Sequence, residues 1–134
     1  MNIPQASPFL PQATVFFCHG SRNAGWRAPF DALAADFRHR LPEQKVRLAF
    51  LELMSPRLPE VLGDLAASGV ERVRVVPLFL APGAHTSRDL PALVDEAQRQ
   101  WPALQVDVTP SLLESAELRG ALVRVLADAA NPTT

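Results

Sequence analysis

Three residues whose side chains can hold a metal ion or move a proton occupy the same kind of position, at or just past the end of an apolar run. His19 follows the apolar run Ala13-Thr14-Val15-Phe16-Phe17-Cys18 and precedes Gly20-Ser21-Arg22. Glu52 closes the run Val46-Arg47-Leu48-Ala49-Phe50-Leu51. His85 lies in the loop Ala81-Pro82-Gly83-Ala84-His85-Thr86, after the apolar stretch 73–80. Two imidazoles and a carboxylate are ligand types that suit a borderline divalent metal, and histidine changes its charge near neutral pH. Each has a plainer reading as well. His19 can cap or pack the end of its strand, although Gly20 lets the backbone come close to a ligand. His85 can be an ordinary loop residue before a helix. Glu52 is flanked by Leu51, Leu53 and Met54, where an unpaired carboxylate is costly to bury. It reads equally as a ligand or proton acceptor and as the partner of an arginine. His39, in Phe37-Arg38-His39-Arg40, suits the carbonyl end of a helix and is not a site candidate.

Around these residues stand Arg22, Arg27, Arg57 and Arg88, with Ser21 beside His19. Singly, each arginine reads as a solvated surface residue. Together they can form an electropositive rim for an anionic substrate, and arginine grips carboxylates bidentately. Arg22, Arg57, Arg88 and Ser21 are therefore the substrate-binding candidates. Cys18 sits within an apolar strand and reads as a small core residue rather than a soft ligand. Met54 reads as core or rim, and Trp26 as a ring that stacks on a flat ligand or covers the first helix.

The elements that must position these groups alternate regularly. A strand near 13–18 leads to a helix near 25–40, whose apolar residues Phe30, Leu33, Ala34, Phe37 and Leu41 follow helical spacing. A strand near 45–51 follows. Ser55-Pro56 then reads as an N-cap with proline at the first helical position. Leu58, Val61, Leu62 and Leu65 form the inner stripe of that helix, and Gly69 stops it. The third strand runs near 72–80. Thr86 with Asp89 resembles a capping box opening a helix to about residue 99, with Leu90, Leu93, Val94 and Ala97 inward. A short strand at 104–108 precedes a last helix near 115–129, with Leu118, Ala121, Leu122, Val125 and Leu126 inward.

Four successive strand–helix units imply an α/β fold: a four-stranded, mostly parallel sheet with helices on both faces, in three layers. Residues 1–12 form an N-terminal extension and 13–130 one domain. Ligands of such sheets bind beyond the carboxyl ends of the strands, where the strand order switches. His19, Glu52 and His85 lie at or just past those ends.

Bulk composition narrows the function. The 134 residues, 48% hydrophobic and 20% charged, suit one globular domain. A net charge of -1 gives no nucleic-acid footprint, and no run reaches the ~20 apolar residues of a membrane helix. The single cysteine excludes an intrachain disulfide and points to a reducing, cytoplasmic home. The proline-broken amino terminus makes a poor signal peptide.

The quoted residues resemble the sirohydrochlorin chelatases, specifically the short CbiX-type cobaltochelatases (class II chelatases). The matching pieces are His19-Gly20-Ser21-Arg22, Leu48-Ala49-Phe50-Leu51-Glu52, and Val76-Pro77-Leu78-Phe79-Leu80 followed by Gly83-Ala84-His85 and Arg88-Asp89-Leu90-Pro91. The resemblance covers about residues 13–110. It implies a chelatase-like fold and insertion of a divalent metal, Co2+ or else Fe2+ or Ni2+, into sirohydrochlorin. That substrate is an octacarboxylate tetrapyrrole on the way to cobalamin or sirohaem. The resemblance also implies metal binding by His19 and His85, an acidic role for Glu52, and a homodimer. The metal is a substrate, and no organic cofactor is implied. Cys18 and the proline-rich extension depart from the pattern.

Two other readings compete. His19-Gly20-Ser21-Arg22 contains the His-Gly-x-Arg core of histidine phosphatases, but Cys18 stands where those place an arginine. A non-catalytic metal or tetrapyrrole carrier would use the same histidines without turnover.

Overall fold

The run Ala13–Cys18 is buried at every position, as a strand covered on both faces must be, and it becomes the second strand of the sheet. The computed structural model describes residues 9–131, with the side chains of 84–87 outside the described set. Its strands are β1 (Ala13–Cys18), β2 (Lys45–Phe50), β3 (Arg72–Pro77) and β4 (Gln105–Val108), in the order β2-β1-β3-β4 and all parallel. The helices are α1 (Ala28–Arg40), α2 (Leu58–Ala67), α3 (Ala84–Gln100) and α4 (Ala116–Ala130). The chain moves from β1 to β2 on one side and then crosses back to β3 on the other, so the order switches at β1.

Two apolar layers follow from the period-2 alternation of the strands. Phe16, Cys18, Val46, Leu48 and Phe50 face α1, where Ala34 is buried and Phe30 and Phe37 pack against them. Ala13, Val15, Phe17, Ala49, Val73 and Val75 face α2 and α3. There they meet Leu58, Val61, Leu62 and Leu65 of α2, and Leu90, Val94 and Ala97 of α3. Each fully buried Val, Leu or Phe side chain adds roughly 1.5–3 kcal/mol. The stripes expected on α2 and α3 are thus the buried ones, except that Leu93 is only partly buried.

α2 ends as the glycine implies. Gly69 has φ 91, its N–H donates to the Ala66 carbonyl at 3.1 Å, and the Val70 N–H reaches the Leu65 carbonyl at 3.0 Å. This is the paired bonding of a Schellman stop.

Several expectations are corrected. Ser55-Pro56 does not open α2: the N-cap position is Arg57, in extended conformation, and the first-turn proline is Pro59. The reason is tertiary. The Phe50 N–H donates to the Pro56 carbonyl at 2.8 Å and Arg57 bridges to Phe50 in parallel fashion, holding the segment beside the end of β2. The Ser55–Pro56 peptide is cis. β2 ends at Phe50 and β3 at Pro77, so Glu52 and Leu78–Leu80 lie on turns beyond the strands. α1 begins only at Ala28, after a 3-10 turn over Ala24–Arg27, and Leu33 and Leu41 are each 43% exposed because α1 meets the sheet along the Ala34 line alone. α3 begins at Ala84, which puts Thr86 inside the helix instead of at its cap; the Thr86 side chain lies outside the described set.

The largest departure is α4. Its apolar residues follow helical spacing, yet none of its residues is buried, and Leu118, Val125 and Leu126 are exposed. The stripe is present, but no sheet face covers it. No helix among the described residues is long and apolar enough to cross a membrane.

Candidate metal and substrate site

Register brings the site together. Cys18 pairs with Phe50, and Phe17 with Pro77. Pairing continues one step further: the Leu51 N–H donates to the Cys18 carbonyl, and the Leu78 N–H to the Phe17 carbonyl, both at 2.8 Å. The segments leaving β1, β2 and β3 therefore emerge side by side, at the edge where the strand order switches.

His19 and Glu52 meet there. His19 Nδ1 lies 3.3 Å from Glu52 Oε2, and Glu52 Oε1 accepts the Gly20 N–H at 3.1 Å. The pair is open to solvent, with side-chain exposures of 53% and 40%. Among the described residues the Glu52 carboxylate contacts the imidazole and the Gly20 amide, and pairs with no arginine. With Nδ1 engaged by the carboxylate, Nε2 is the nitrogen left for a metal, as in carboxylate-held metal-ligating histidines.

Three neighbours fix the imidazole. The Phe79 ring lies 4.5 Å from it, centroid to centroid, tilted by 50°. Trp26 Nε1 donates to the His19 carbonyl at 2.7 Å, and its ring packs on Phe30. Gly20 is required by close approach: a Cβ there would stand 1.8 Å from the Glu52 carbonyl oxygen. The sequence pointed to Gly20 and named Trp26 only as a stacking or covering ring. Phe79 was missed, since nothing in the run Val76–Leu80 separates a ring beneath histidine from a core phenylalanine.

His85 is the second residue of α3, which follows the β3 turn at this same edge. Its side chain lies outside the described residues. Among the described residues no group of three or more His, Cys, Asp and Glu side chains forms a metal cage.

The arginines divide. Arg57 is committed to its own turn, its Nε donating to the Leu51 carbonyl at 3.1 Å. Arg27 pairs with Asp31 at 3.1 Å and lies over the Phe50 ring. Arg22 and Arg88 are exposed. Neither makes a hydrogen bond or ion pair that the described residues account for, which leaves their forks available for anions. Ser21 Oγ accepts the Asn23 N–H at 3.0 Å, shaping the loop that carries Trp26. Met54 packs half-buried against the α1 layer, and His39 is exposed in the last turn of α1.

Cys18 is fully buried. Desolvation pushes its thiol up to about 12, against a smaller opposing pull from Arg27. Such a thiol is inert as nucleophile and ligand, which agrees with the core reading. A mainly apolar cavity of ≈ 360 Å³ opens behind Phe79, between α3 and the 108–114 segment. It is lined in part by Pro77, Leu90, Val94 and Val108 and takes in neither His19 nor Glu52.

Comparison with known proteins agrees with this fold. The CbiX family model matches residues 13–129. The sirohydrochlorin cobaltochelatase of Methanothermobacter thermautotrophicus is 36% identical over 76 residues, covering 57% of this chain and 52% of that protein. The chain thus spans about half the length of the curated relatives it matches. The crystal structure of a putative cobalamin (vitamin B12) biosynthesis CbiX protein from Marinobacter aquaeolei VT8 superposes with a TM-score of 0.79. The two are 26% identical, and the match covers 92% of this chain and 100% of that one. The sirohydrochlorin chelatase SirB from Bacillus subtilis subspecies spizizenii, solved in complex with cobalt, shares the fold with a TM-score of 0.75 at 23% identity. That match covers 89% of this chain and 51% of that one.

Proposed function

We propose, on the premise that this chain belongs to the CbiX family, that it is a chelatase inserting a divalent metal into sirohydrochlorin. Co2+ is the leading metal, with Fe2+ or Ni2+ as alternatives, and the product feeds cobalamin or sirohaem synthesis in the cytoplasm. The observation that carries the reading is His19, held through Nδ1 by Glu52 on an open edge at the switch in strand order.

The reaction exchanges two pyrrole N–H bonds for nitrogen–metal bonds and releases two protons. His19 Nε2 and the His85 imidazole hold the incoming ion as a substrate. So few protein ligands leave coordination positions open for the pyrrole nitrogens. Glu52 orients His19 and, with the histidines once the ion has moved on, takes up protons. Arg22 and Arg88, with Arg57 and Ser21 at the rim, bind the carboxylates of the anionic macrocycle.

A second copy of the chain completes the protein. An isolated helix of 15 residues is marginal in water even for a good helix-forming sequence, yet α4 buries no residue and displays Val123, Val125 and Leu126 at 62%, 63% and 56% exposure.

The test is single replacement of His19 and His85 by alanine, following the visible spectrum of sirohydrochlorin with cobalt. Loss of insertion in both variants is expected; near wild-type rates in both would end the proposal. Many equivalents of metallated product per enzyme separate catalysis from mere carriage.

A further inference from the structure

Leu53 follows Glu52 directly and has φ 68, the one positive φ outside glycine among the described residues. The Met54 N–H donates to the Glu52 carbonyl at 2.8 Å, closing a three-residue turn around Leu53. This sign of φ strains a leucine, and such turns are rare for that reason. The side chain gains only partial burial in exchange, since Leu53 is 50% exposed. Glycine or asparagine would fit the backbone better, and a polar residue would suit the water. Strained residues of this kind cluster at active sites and ligand clamps, so a strained, half-exposed leucine beside Glu52 points to a ligand.

A second exposed leucine stands at the same edge. Leu80, 61% exposed, follows Phe79, whose ring packs on His19. Its backbone is also pinned, its carbonyl accepting the Leu113 N–H at 2.9 Å. β1 lies between β2 and β3, so the turns carrying Leu53 and Leu80 leave strands on either side of the one that delivers His19. Those outer strands are about 10 Å apart, two strand spacings. Trp26, bonded to the His19 carbonyl, is 38% exposed and adds a third apolar surface.

We propose that Leu53 and Leu80 are specificity-determining residues. They form an apolar seat for one face of a flat conjugated macrocycle above His19, while the arginines hold its carboxylates. The strained turn fixes Leu53 in place at the same point where it aims Glu52 at the imidazole, so the seat and the metal-binding histidine share one rigid frame. The inference rests on the chelatase reading above.

The test uses the full chain with Leu53→Asn, Leu53→Gly and Leu80→Asn. Asparagine and glycine accept the left-handed backbone, so the Leu53 variants fold at least as stably as the parent. The apparent KM for sirohydrochlorin should rise about tenfold in each variant, the scale of losing one leucine's apolar contact. kcat should stay within about twofold, as when a contact serves ground and transition states equally. Cobalt binding without tetrapyrrole should not change, and Leu53→Met should restore the parent KM. An unchanged KM in the Leu53 and Leu80 variants, with the parent active, overturns the seat and leaves the chelatase reading standing. A parent chain that neither binds nor metallates sirohydrochlorin overturns both.

Discussion

Glu52 joins two sites of one loop: Oε2 lies 3.3 Å from His19 Nδ1, and Oε1 accepts the Gly20 N–H at 3.1 Å. One carboxylate thereby sets both the ring orientation of the histidine and the path of the backbone beyond it. A carboxylate only accepts, so it favours the proton on Nδ1 and a free lone pair on Nε2. In Glu52→Gln the amide oxygen can still receive the Gly20 N–H, but its NH2 group faces Nδ1 and favours the opposite tautomer. Cobalt affinity should fall about 10–100-fold, the range for losing such an outer partner. Titration of the free protein with Co2+ measures this; an unchanged affinity would show that Glu52 does not orient the ligand.

Gly20→Ala should be more damaging than its size implies. The added methyl would meet the Glu52 carbonyl oxygen at 1.8 Å and its carbonyl carbon at 3.0 Å. These are backbone atoms of the turn that carries Glu52, so either the turn or the His19 loop must move. A stability loss of about 1–3 kcal/mol, typical of overpacking, is expected together with loss of metal insertion. Thermal denaturation and the insertion assay, run on one preparation, check both effects.

The rim arginines should separate by their commitments. Arg22→Gln and Arg88→Gln remove guanidinium groups that no described residue occupies, so the apparent sirohydrochlorin constant should rise while cobalt binding stays put. The rise should shrink with added salt, because exposed charges are screened. Arg57→Gln instead cuts the bond to the Leu51 carbonyl and should lower stability as well, by about 0.5–1.5 kcal/mol.

Cys18 provides a pH test. Its folded thiol is raised from 9.0 to about 12 by burial, so above pH 9 the unfolded chain sheds a proton that the folded chain retains. The folded state binds more protons, and stability must therefore fall as pH rises. The loss runs from pH 9 toward 12, with a slope approaching about 1.4 kcal/mol per pH unit. Cys18→Ala should flatten that limb in urea denaturation series across this range. The native thiol should also resist thiol reagents until the chain unfolds; rapid modification at pH 8 would contradict its burial.

Charged residues on α4 test the second copy. Val123→Glu with Leu126→Arg places charge on side chains already 62% and 56% exposed, which should barely disturb a lone domain. The pair should shift the solution mass from dimer to monomer, read by light scattering. A parent chain that is monomeric at micromolar concentration would rule out this use of the helix.

Much of this protein was written along the chain. The fully buried run Ala13–Cys18, the helical spacing of Leu58, Val61, Leu62 and Leu65, and the glycine stop at residue 69 are local patterns, and each appears in the fold as its periodicity implies. His19 and Glu52 were visible as candidates for the same reason, since each follows an apolar run. What local pattern did not contain was the neighbour. Ser55-Pro56 has the chemistry of a helix start, but parallel pairing of Arg57 with Phe50 holds the segment extended. The apolar stripe of α4 was legible, while its lack of any covering surface was not.

The sequence by itself determined which segments become strands and helices, which residues of each share an apolar face, and that chemistry-bearing residues follow strand ends, because periodicity and turn chemistry act over a few residues. Only the tertiary structure decided that β1 lies between β2 and β3, and that Cys18 stands in register with Phe50. That register joins His19 to Glu52 across 33 positions of chain. It also brings the Glu52 carbonyl so near to residue 20 that only glycine fits. Strand order and register are set by long-range burial of whole faces, a cooperative sum that no short window of sequence expresses.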